Sequence, residues 1–326
     1  MAIEIESLTK LYQETAVLNC IDIQIDKGQM YGLLGPSGAG KSTLVSILST
    51  LLVPTEGSAR INGYDVCTQA KKVRRQIGTV FQELTLDDNL TVYESLSLYG
   101  ALHRVKYDEL PGRIDEALDM AVLWERCHDR IKTLSEGTKR MLQIAQAMLH
   151  YPKVLILDEP ARGLDPQSRL YLWEYINNLR TQRGTTVFIA AKYMNEAEKF
   201  DRVSIIDEGD IIAEGTPEDL KNRMGGEIVE VATNDKVRLG KWLDLTFGIN
   251  AEVTTRGLSF EVENAAAFLS GMMGKAPATI HEVSFKRPTL NDVLVKLTGK
   301  SIRDDMIARK TRGTKPTSLR KWYYEP

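Results

Sequence analysis

The sequence predicts an α/β fold built around a largely parallel sheet. Three short, mostly apolar runs support this prediction, at residues 30–34, 154–157 and 185–191. Strands of a parallel sheet are buried on both faces, so they show continuous apolar runs rather than alternation. Helical patterns separate the runs, and alternating strands and helices are typical of α/β folds. A similar pattern restarts after residue 226 and predicts a second, smaller α/β unit.

The composition is that of an ordinary globular protein. The 326 residues are 43% hydrophobic and 26% charged, enough for one large domain or two, and the net charge of −2 does not indicate a nucleic-acid partner. No apolar run approaches the length of a membrane span, and the first ten residues do not resemble a signal peptide. Cys20, Cys67 and Cys127 are widely separated, which argues against a disulfide framework or zinc site and favours a reducing cytoplasm.

A glycine-rich loop follows the first apolar run and fits the pattern G-x-x-x-x-G-K-[ST]. Its residues are Gly35, Pro36, Ser37, Gly38, Ala39, Gly40, Lys41, Ser42 and Thr43. A helix is predicted next, over residues 41–52, so backbone N–H groups and the positive end of the helix would surround a β-phosphate. Lys41 would reach the β- and γ-phosphates, and the Ser42 hydroxyl would ligate Mg²⁺. The loop predicts a P-loop that binds the phosphates of a nucleotide together with Mg²⁺.

Two acids directly follow the apolar run at residues 154–157. In open α/β sheets, ligands bind at the carboxyl ends of the strands, where Asp158 and Glu159 would lie. Asp158 could hold Mg²⁺ through water, and Glu159 could orient or deprotonate an attacking water.

Other segments complete the domain plan. Residues 2–34 predict antiparallel strands, residues 84–150 a mostly helical insert, and residues 203–213 a hairpin. Thr216 is the predicted N-cap of a helix, and Met224-Gly225-Gly226 is the predicted domain boundary. The domains would therefore be residues 1–224, a small α/β domain at 225–299 and a basic tail at 300–326.

The tail carries eight Lys or Arg residues against three acids and few apolar residues. This composition favours a flexible, solubilising segment, with attraction to anionic lipid headgroups as the alternative.

The order and spacing of several motifs resemble the ATP-binding subunits of ABC transporters over roughly residues 2–220. The most specific motif is Leu134-Ser-Glu-Gly-Thr-Lys-Arg140, which stands about 20 residues before the two acids. The other matching elements are the phosphate loop, the acids themselves, Tyr12, Gln82 and Gly163-Leu-Asp165. The resemblance implies an ABC ATPase domain with an antiparallel β subdomain and a helical subdomain.

The resemblance also implies a role for each matching residue. Tyr12 would stack on adenine, and Gln82 would sense Mg²⁺ and border the groove for a membrane subunit. Ser135 and Gly137 would contact the γ-phosphate bound by a second ATP-binding subunit, and Asp165 would couple the two sites. The implied partners are therefore a transmembrane subunit and a second ATP-binding subunit, in a homodimer or a heterodimer at the cytoplasmic face of the membrane.

The closing segment indicates one type of ABC subunit, and three residues elsewhere depart from the family pattern. Residues 285–299 are similar to the end of exporter subunits of the daunorubicin/doxorubicin-resistance type. Glu136 and Thr138 stand where the strict signature has glycine and glutamine, and Lys192 stands where the family has its switch histidine. Glu159, Gln82 and Lys192 are the predicted catalytic residues.

Two functions stay open for this type of subunit. The first is an ATPase that powers export, and the second is a regulatory subunit that closes on ATP but hydrolyses it slowly because of Lys192. DNA-repair and chromosome-structuring ATPases with the same signature insert long coiled coils, whereas Lys41 and Ser135 are only 94 residues apart. Translation-type relatives usually carry two ATP-binding halves, and a single one is found here.

Overall fold

The computed structural model describes residues 1–192, 194–222, 226–272, 274–286 and 289–298. Its strands are β1 (Ile3–Tyr12), β2 (Thr15–Ile25), β3 (Met30–Leu34), β4 (Glu56–Ile61), β5 (Tyr64–Asp65), β6 (Ile77–Val80), β7 (Val154–Asp158), β8 (Thr186–Ala191), β9 (Arg202–Asp207), β10 (Asp210–Gly215), β11 (Glu227–Thr233), β12 (Glu252–Val253), β13 (Gly257–Val262) and β14 (Ile280–Lys286). Its α-helices are α1 (Lys41–Leu48), α2 (Ala70–Val73), α3 (Val92–Leu102), α4 (Leu110–Met120), α5 (Glu136–Met148), α6 (Pro166–Arg183), α7 (Pro217–Asn222), α8 (Lys236–Phe247), α9 (Ala265–Met272) and α10 (Leu290–Thr298).

The central element is a six-stranded sheet with the order β10-β9-β3-β8-β7-β6. Strands β9, β3, β8, β7 and β6 run parallel, and β10 pairs antiparallel with β9 in the predicted hairpin. Every residue of β3, β7 and β8 is buried. The continuous apolar runs therefore identified the buried parallel strands correctly, and the α/β prediction is confirmed.

A second sheet is antiparallel, with the order β2-β1-β4-β5. Along β1, Ile3 and Ile5 are buried while Glu4 between them is partly exposed, as alternation predicts for a sheet with one solvated face. The buried face shares one apolar core with α1, through Leu44 and Val45, and with one face of the central sheet. This shared core sets the position of the loop between β3 and α1.

Helix α1 ends four residues earlier than the sequence predicted. The prediction extended to residue 52 because Leu51 and Leu52 continue the apolar pattern, but the helix ends at Leu48. Thr50 adopts a left-handed φ of 63°, and the N–H groups of Leu51 and Leu52 both donate to the carbonyl of Ser46. Leu51 is consequently 61% exposed, so its apolar side chain does not belong to the core face.

The helical insert between β6 and β7 is confirmed by α3, α4 and α5. Helix α3 begins with a capping box in which Thr91 Oγ1 accepts from Glu94 N and Glu94 Oε2 accepts from Thr91 N. The apolar faces of the three helices join the opposite face of the central sheet in one large core. The segment that follows β8 contains a 3₁₀-helix, Met194–Lys199.

Beyond residue 226 the elements follow in the order strand, helix, two strands, helix, strand and helix. The strands form an antiparallel sheet of order β12-β13-β11-β14, the arrangement of a split βαβ, ferredoxin-like unit. This sheet has a core with α8 and α9, whereas Leu290, Val293 and Leu294 of α10 belong to the large core described above. Two residues of the predicted boundary at 224–226, and the whole predicted tail at 300–326, lie outside the described residues. The division into domains stays a prediction.

In the described ranges, none of the helices combines the length and the apolar character that crossing a membrane requires.

Candidate nucleotide-binding site

A cavity of about 520 Å³ opens at the carboxyl edge of the parallel strands. The phosphate loop lies between β3 and α1, Gln82 follows β6, Glu159 follows β7 and Lys192 follows β8. The residues that line the cavity are Val17, Ser37, Gly38, Gly40, Lys41, Ser42, Thr43, Gln82, Glu159, Arg162 and Lys192. The structure thus brings together, around one space, groups that the sequence spreads over 150 residues or more.

The phosphate loop can adopt its path only with glycine at two positions. Gly40 has a φ of +105°, and a Cβ there would stand 2.6 Å from the Val17 carbonyl oxygen of β2. A Cβ on Gly35 would stand 2.1 Å from the Ile206 carbonyl oxygen. Lys41 is 5% exposed, and its Nζ donates to the carbonyls of Gly35 and Pro36, each at 2.8 Å. The ammonium is therefore held within the loop, where phosphate oxygens would bind.

Asp158 and Ser42 form the pair that suits a magnesium ion. The Ser42 side chain hydrogen-bonds Asp158, which is 4% exposed, and Asp158 Oδ1 accepts no hydrogen bond from the described part of the chain. Burial raises the pKa of Asp158, and the Glu159 charge adds to the rise while Lys41 and Arg140 oppose it. A buried, unsatisfied carboxylate oxygen beside a hydroxyl fits a divalent cation, which would supply the missing partner.

The donor set fits Mg²⁺ bound largely by phosphate and water. Among the described residues, His, Cys, Asp and Glu form no cluster of three that could hold a metal by themselves. Mg²⁺ is usually held by one or two protein oxygens together with substrate phosphates and water. Ser42, Gln82 and Asp158 can contribute such oxygens.

Glu159 is held by backbone and side-chain contacts at the edge of the cavity. Its N–H donates to the Ala190 carbonyl at 2.8 Å, its φ is +46°, and its Oε2 accepts from Gln82 Nε2 at 3.2 Å. Strained backbone of this kind is common at functional sites. The carboxylate is therefore oriented toward the space that Lys192 and Arg162 also line.

Arg140 is a site residue whose role the sequence did not reveal. It is 4% exposed, and its guanidinium donates to the carbonyls of Phe81 and Gln82, each at 2.7 Å, and to Gln143 Oε1 at 2.9 Å. Gln143 in turn donates to the Glu83 carbonyl at 3.3 Å. The helix that begins at the signature segment therefore anchors the loop carrying Gln82.

The signature residues lie at the start of α5, apart from the residues found to line the cavity. Ser135 is the N-cap and accepts from Thr138 N at 3.2 Å. A Cβ on Gly137 would stand 2.6 Å from Ser168 Oγ, so the beginnings of α5 and α6 pack closely. Asp165 caps α6 by accepting from the N–H groups of residues 167 and 168, each at 3.0 Å.

Tyr12 lies at the end of β1 and is 47% exposed. Lys10 Nζ stands 5.5 Å from the centroid of its ring. Within the described chain, Val17 of the same hairpin lines the cavity and Tyr12 does not. Stacking of Tyr12 on adenine stays a prediction.

Arg162 was missed because nothing in its local sequence distinguishes it from a solvated loop residue.

Comparisons with known proteins identify the family of this chain. The family model described as ABC transporter matches residues 18–162. The chain is 36% identical to the daunorubicin resistance ATP-binding protein DrrA3 of Streptomyces coeruleorubidus, over 91% of this chain and 96% of that protein. It is 34% identical to the linearmycin resistance ATP-binding protein LnrL of Bacillus subtilis (93% and 100% covered), and 34% identical to the Nod factor export ATP-binding protein I of Cupriavidus pinatubonensis (93% and 92% covered).

Two solved structures show the same relationship in three dimensions. One is the dimeric post-hydrolysis state of the ATP-binding cassette MJ0796 bound to ADP and Pi, with a TM-score of 0.60, 27% identity and coverage of 66% of this chain and 98% of that one. The other is cbiO1 from Clostridium perfringens, with a TM-score of 0.64, 26% identity and coverage of 76% and 96%. The identity of 36% over most of both chains and the match to the ABC transporter family model show that this chain belongs to the ATP-binding subunits of ABC transporters.

Proposed function

We propose that this subunit hydrolyses Mg-ATP at the cavity above the parallel strands and that ATP-driven dimer closure powers export through a separate membrane subunit. One observation carries the proposal: Lys41, Glu159 and Gln82 face one space, although each follows a different strand of the central sheet. The relatives named for daunorubicin resistance, linearmycin resistance and Nod factor export support an export role.

The residues divide the chemistry between phosphate binding and water activation. Lys41 and the N–H groups at the start of α1 neutralise and orient the phosphates. Ser42, Gln82 and Asp158 would hold Mg²⁺, which supplies charge neutralisation at the phosphate oxygens when bound. Glu159 orients the attacking water and accepts its proton, and its hydrogen bond to Gln82 fixes the carboxylate.

A second ATP-binding subunit would complete the site. Ser135 and Gly137 belong to the beginning of α5, which presents the positive end of a helix, and phosphate is a suitable ligand for such an end. In the proposed dimer, this end would face the γ-phosphate of the partner's nucleotide, and Asp165 at the adjoining start of α6 would link the two sites. The dimer would bind a membrane subunit at the cytoplasmic face of the membrane.

Lys192 favours a second candidate function, a regulatory subunit that binds ATP and turns it over slowly. Lys192 lines the same cavity as the phosphate loop. An ammonium offers three donors and no acceptor, whereas a neutral imidazole donates at one nitrogen and accepts at the other. Lys192 can therefore neutralise phosphate charge, but it cannot bridge the γ-phosphate to an attacking water through an acceptor.

Separating binding from hydrolysis tests the proposed function. The Lys41→Ala variant loses the ammonium that meets the β- and γ-phosphates, so we expect at least about tenfold weaker ATP binding. The Glu159→Gln variant keeps the phosphate cradle, so we expect ATP binding within about twofold of wild type, almost no turnover and an ATP-dependent dimer. Equilibrium binding of a fluorescent ATP analogue, phosphate release and size-exclusion chromatography measure the three properties. Equal loss of ATP binding in both variants would contradict the assignment.

A further inference from the structure

A buried carboxylic acid lies near the site without a part in the chemistry described so far. Glu196 belongs to the 3₁₀-helix Met194–Lys199, which follows β8 and Lys192 along the chain, and it is 5% exposed. Its Oε1 is buried and accepts no hydrogen bond from the described residues. Buried acids are rarely retained without a partner charge, so its surroundings identify its role.

The partner charge is Arg169 on the first turns of α6. Arg169 Nε stands 3.8 Å from Glu196 Oε1, and Arg169 Nη2 donates to the Leu164 carbonyl at 3.4 Å. Leu164 is the middle residue of the loop Gly163-Leu164-Asp165, which precedes α6. One guanidinium therefore joins the 3₁₀-helix after Lys192 to the loop that carries Asp165.

The charges around Glu196 come from three elements. Arg169 faces it from α6, Lys199 from its own 3₁₀-helix and Glu159 from the end of β7. Burial raises the pKa of Glu196 from 4.5 to about 7, and Glu159 adds to the rise, while Arg169 and Lys199 oppose it. Glu196 thus changes charge near neutral pH and senses the charge of the predicted hydrolytic carboxylate.

We propose that Glu196 and Arg169 are positioning residues that fix the position of the loop 163–165 relative to the segment that carries Lys192. The ion pair attaches two pieces of chain that leave neighbouring parallel strands, β7 and β8, and that both border the cavity. The inference rests on the proposed function in one respect, because Asp165 and Lys192 act in turnover only if this site hydrolyses ATP.

Replacing the carboxylate by its neutral isostere tests the pair. In full-length protein at saturating Mg-ATP and pH 8, we expect Glu196→Gln to lower kcat by about 3- to 30-fold, the scale of coupling measured for residues that contact neither ligand. ATP affinity should stay within about twofold, because Glu196 does not line the cavity in the described chain. The matched control is Glu198→Gln, which removes an exposed pair with Lys221 from the same segment.

The pH dependence separates positioning from a merely structural role. At pH 6 the wild-type Glu196 is largely protonated, so the kcat ratio of wild type to Glu196→Gln should shrink toward one. The folded-state pKa lies above the ordinary value, so ionisation of Glu196 reduces wild-type stability as pH rises from about 4.5 through about 7. Between pH 5 and pH 8, the Tm of Glu196→Gln should therefore rise relative to the Tm of wild type. Over the same range, the kcat of Glu196→Gln should fall relative to the kcat of wild type.

Double substitution tests whether the two residues act as a unit. Glu196→Gln and Arg169→Gln together should lower kcat no further than the more damaging single change, because each alone breaks the same link. Any of three results overturns the inference. The first is a wild-type kcat in Glu196→Gln at pH 8, and the second is a loss of kcat in Glu196→Gln that is equal at pH 6 and pH 8. The third is a double variant whose loss of kcat equals the product of the two single losses.

The proposed function and the inference fail in distinguishable ways. Wild-type turnover reports on the proposed function, whereas the ratio of variant to wild type reports on the pair. If the wild-type protein binds ATP without turnover, the effect of Glu196→Gln is measured instead in protein that also carries Glu159→Gln. There, Glu196→Gln should raise the ATP concentration needed for dimer formation by at least about threefold, and an unchanged concentration overturns the inference.

Discussion

Arg140→Lys is the change that most directly tests how the signature helix controls the catalytic loop. Arg140 donates to the carbonyls of Phe81 and Gln82, each at 2.7 Å, from a side chain that is 4% exposed. Lysine keeps the positive charge that faces Asp158 but lacks the planar fork that reaches two carbonyls at once. The variant therefore removes geometry while it preserves charge.

The expected magnitude comes from the carbonyl contact that lysine cannot replace. A hydrogen bond from a charged donor contributes about 1.5–3 kcal/mol, and an ammonium in this position can satisfy one of the two carbonyls. We expect the loss to loosen Gln82, whose amide holds Glu159 at 3.2 Å. Because Gln82 and Glu159 act on the attacking water, the lost contact should destabilise mainly the transition state. We therefore expect kcat to fall by about 10- to 100-fold with little change in ATP affinity.

Phosphate release at saturating Mg-ATP and equilibrium ATP binding provide the assay. Lys139→Ala is the matched control, because Lys139 is the neighbouring basic residue on α5 and pairs with Asp88 at 2.8 Å rather than with the Gln82 loop. Its expected effect on kcat is below about twofold. Wild-type turnover in Arg140→Lys, or an equal loss of turnover in the Lys139→Ala control, would refute the reasoning.

Two further changes test Lys192 and the half-buried His150. In the complex with its membrane subunit, Lys192→His should raise ATP turnover per site by about tenfold or more without tighter binding, because imidazole supplies an acceptor; unchanged or lower turnover contradicts the slow-subunit reading. His150 stacks on His103 at 4.1 Å and bonds the Ile77 carbonyl at 2.9 Å, and burial lowers its pKa from 6.5 to about 4. Between pH 4 and pH 6.5, His150 is therefore protonated more often in the unfolded chain than in the folded one. Because of this difference, the free energy of unfolding should fall by up to about 3 kcal/mol as the pH drops from 6.5 to 4. Chemical denaturation of His150→Gln should show a correspondingly flatter acid slope, and an unchanged slope would contradict this role.

The sequence alone determined the elements whose signals are local. Continuous apolar runs located β3, β7 and β8, and the phosphate-loop pattern located the strand-to-helix turn at Gly40 and Lys41. Thr216 was predicted as an N-cap from its own neighbourhood, and it accepts from Asp219 N at 3.0 Å. Such features depend on residues a few positions apart, and a single stretch of chain therefore contains the whole signal.

Only the tertiary structure decided how distant residues meet. Apolar periodicity extended α1 to residue 52, but a left-handed Thr50 ends it at Leu48. The links from Arg140 to the Gln82 loop and from Glu196 to Arg169 join residues 27 to 59 positions apart. Their acceptors include backbone carbonyls, which every residue has, and a buried carboxylate that looks like any surface acid in sequence. No local pattern distinguishes such partners, because the selection among them is made when the core packs and water is excluded.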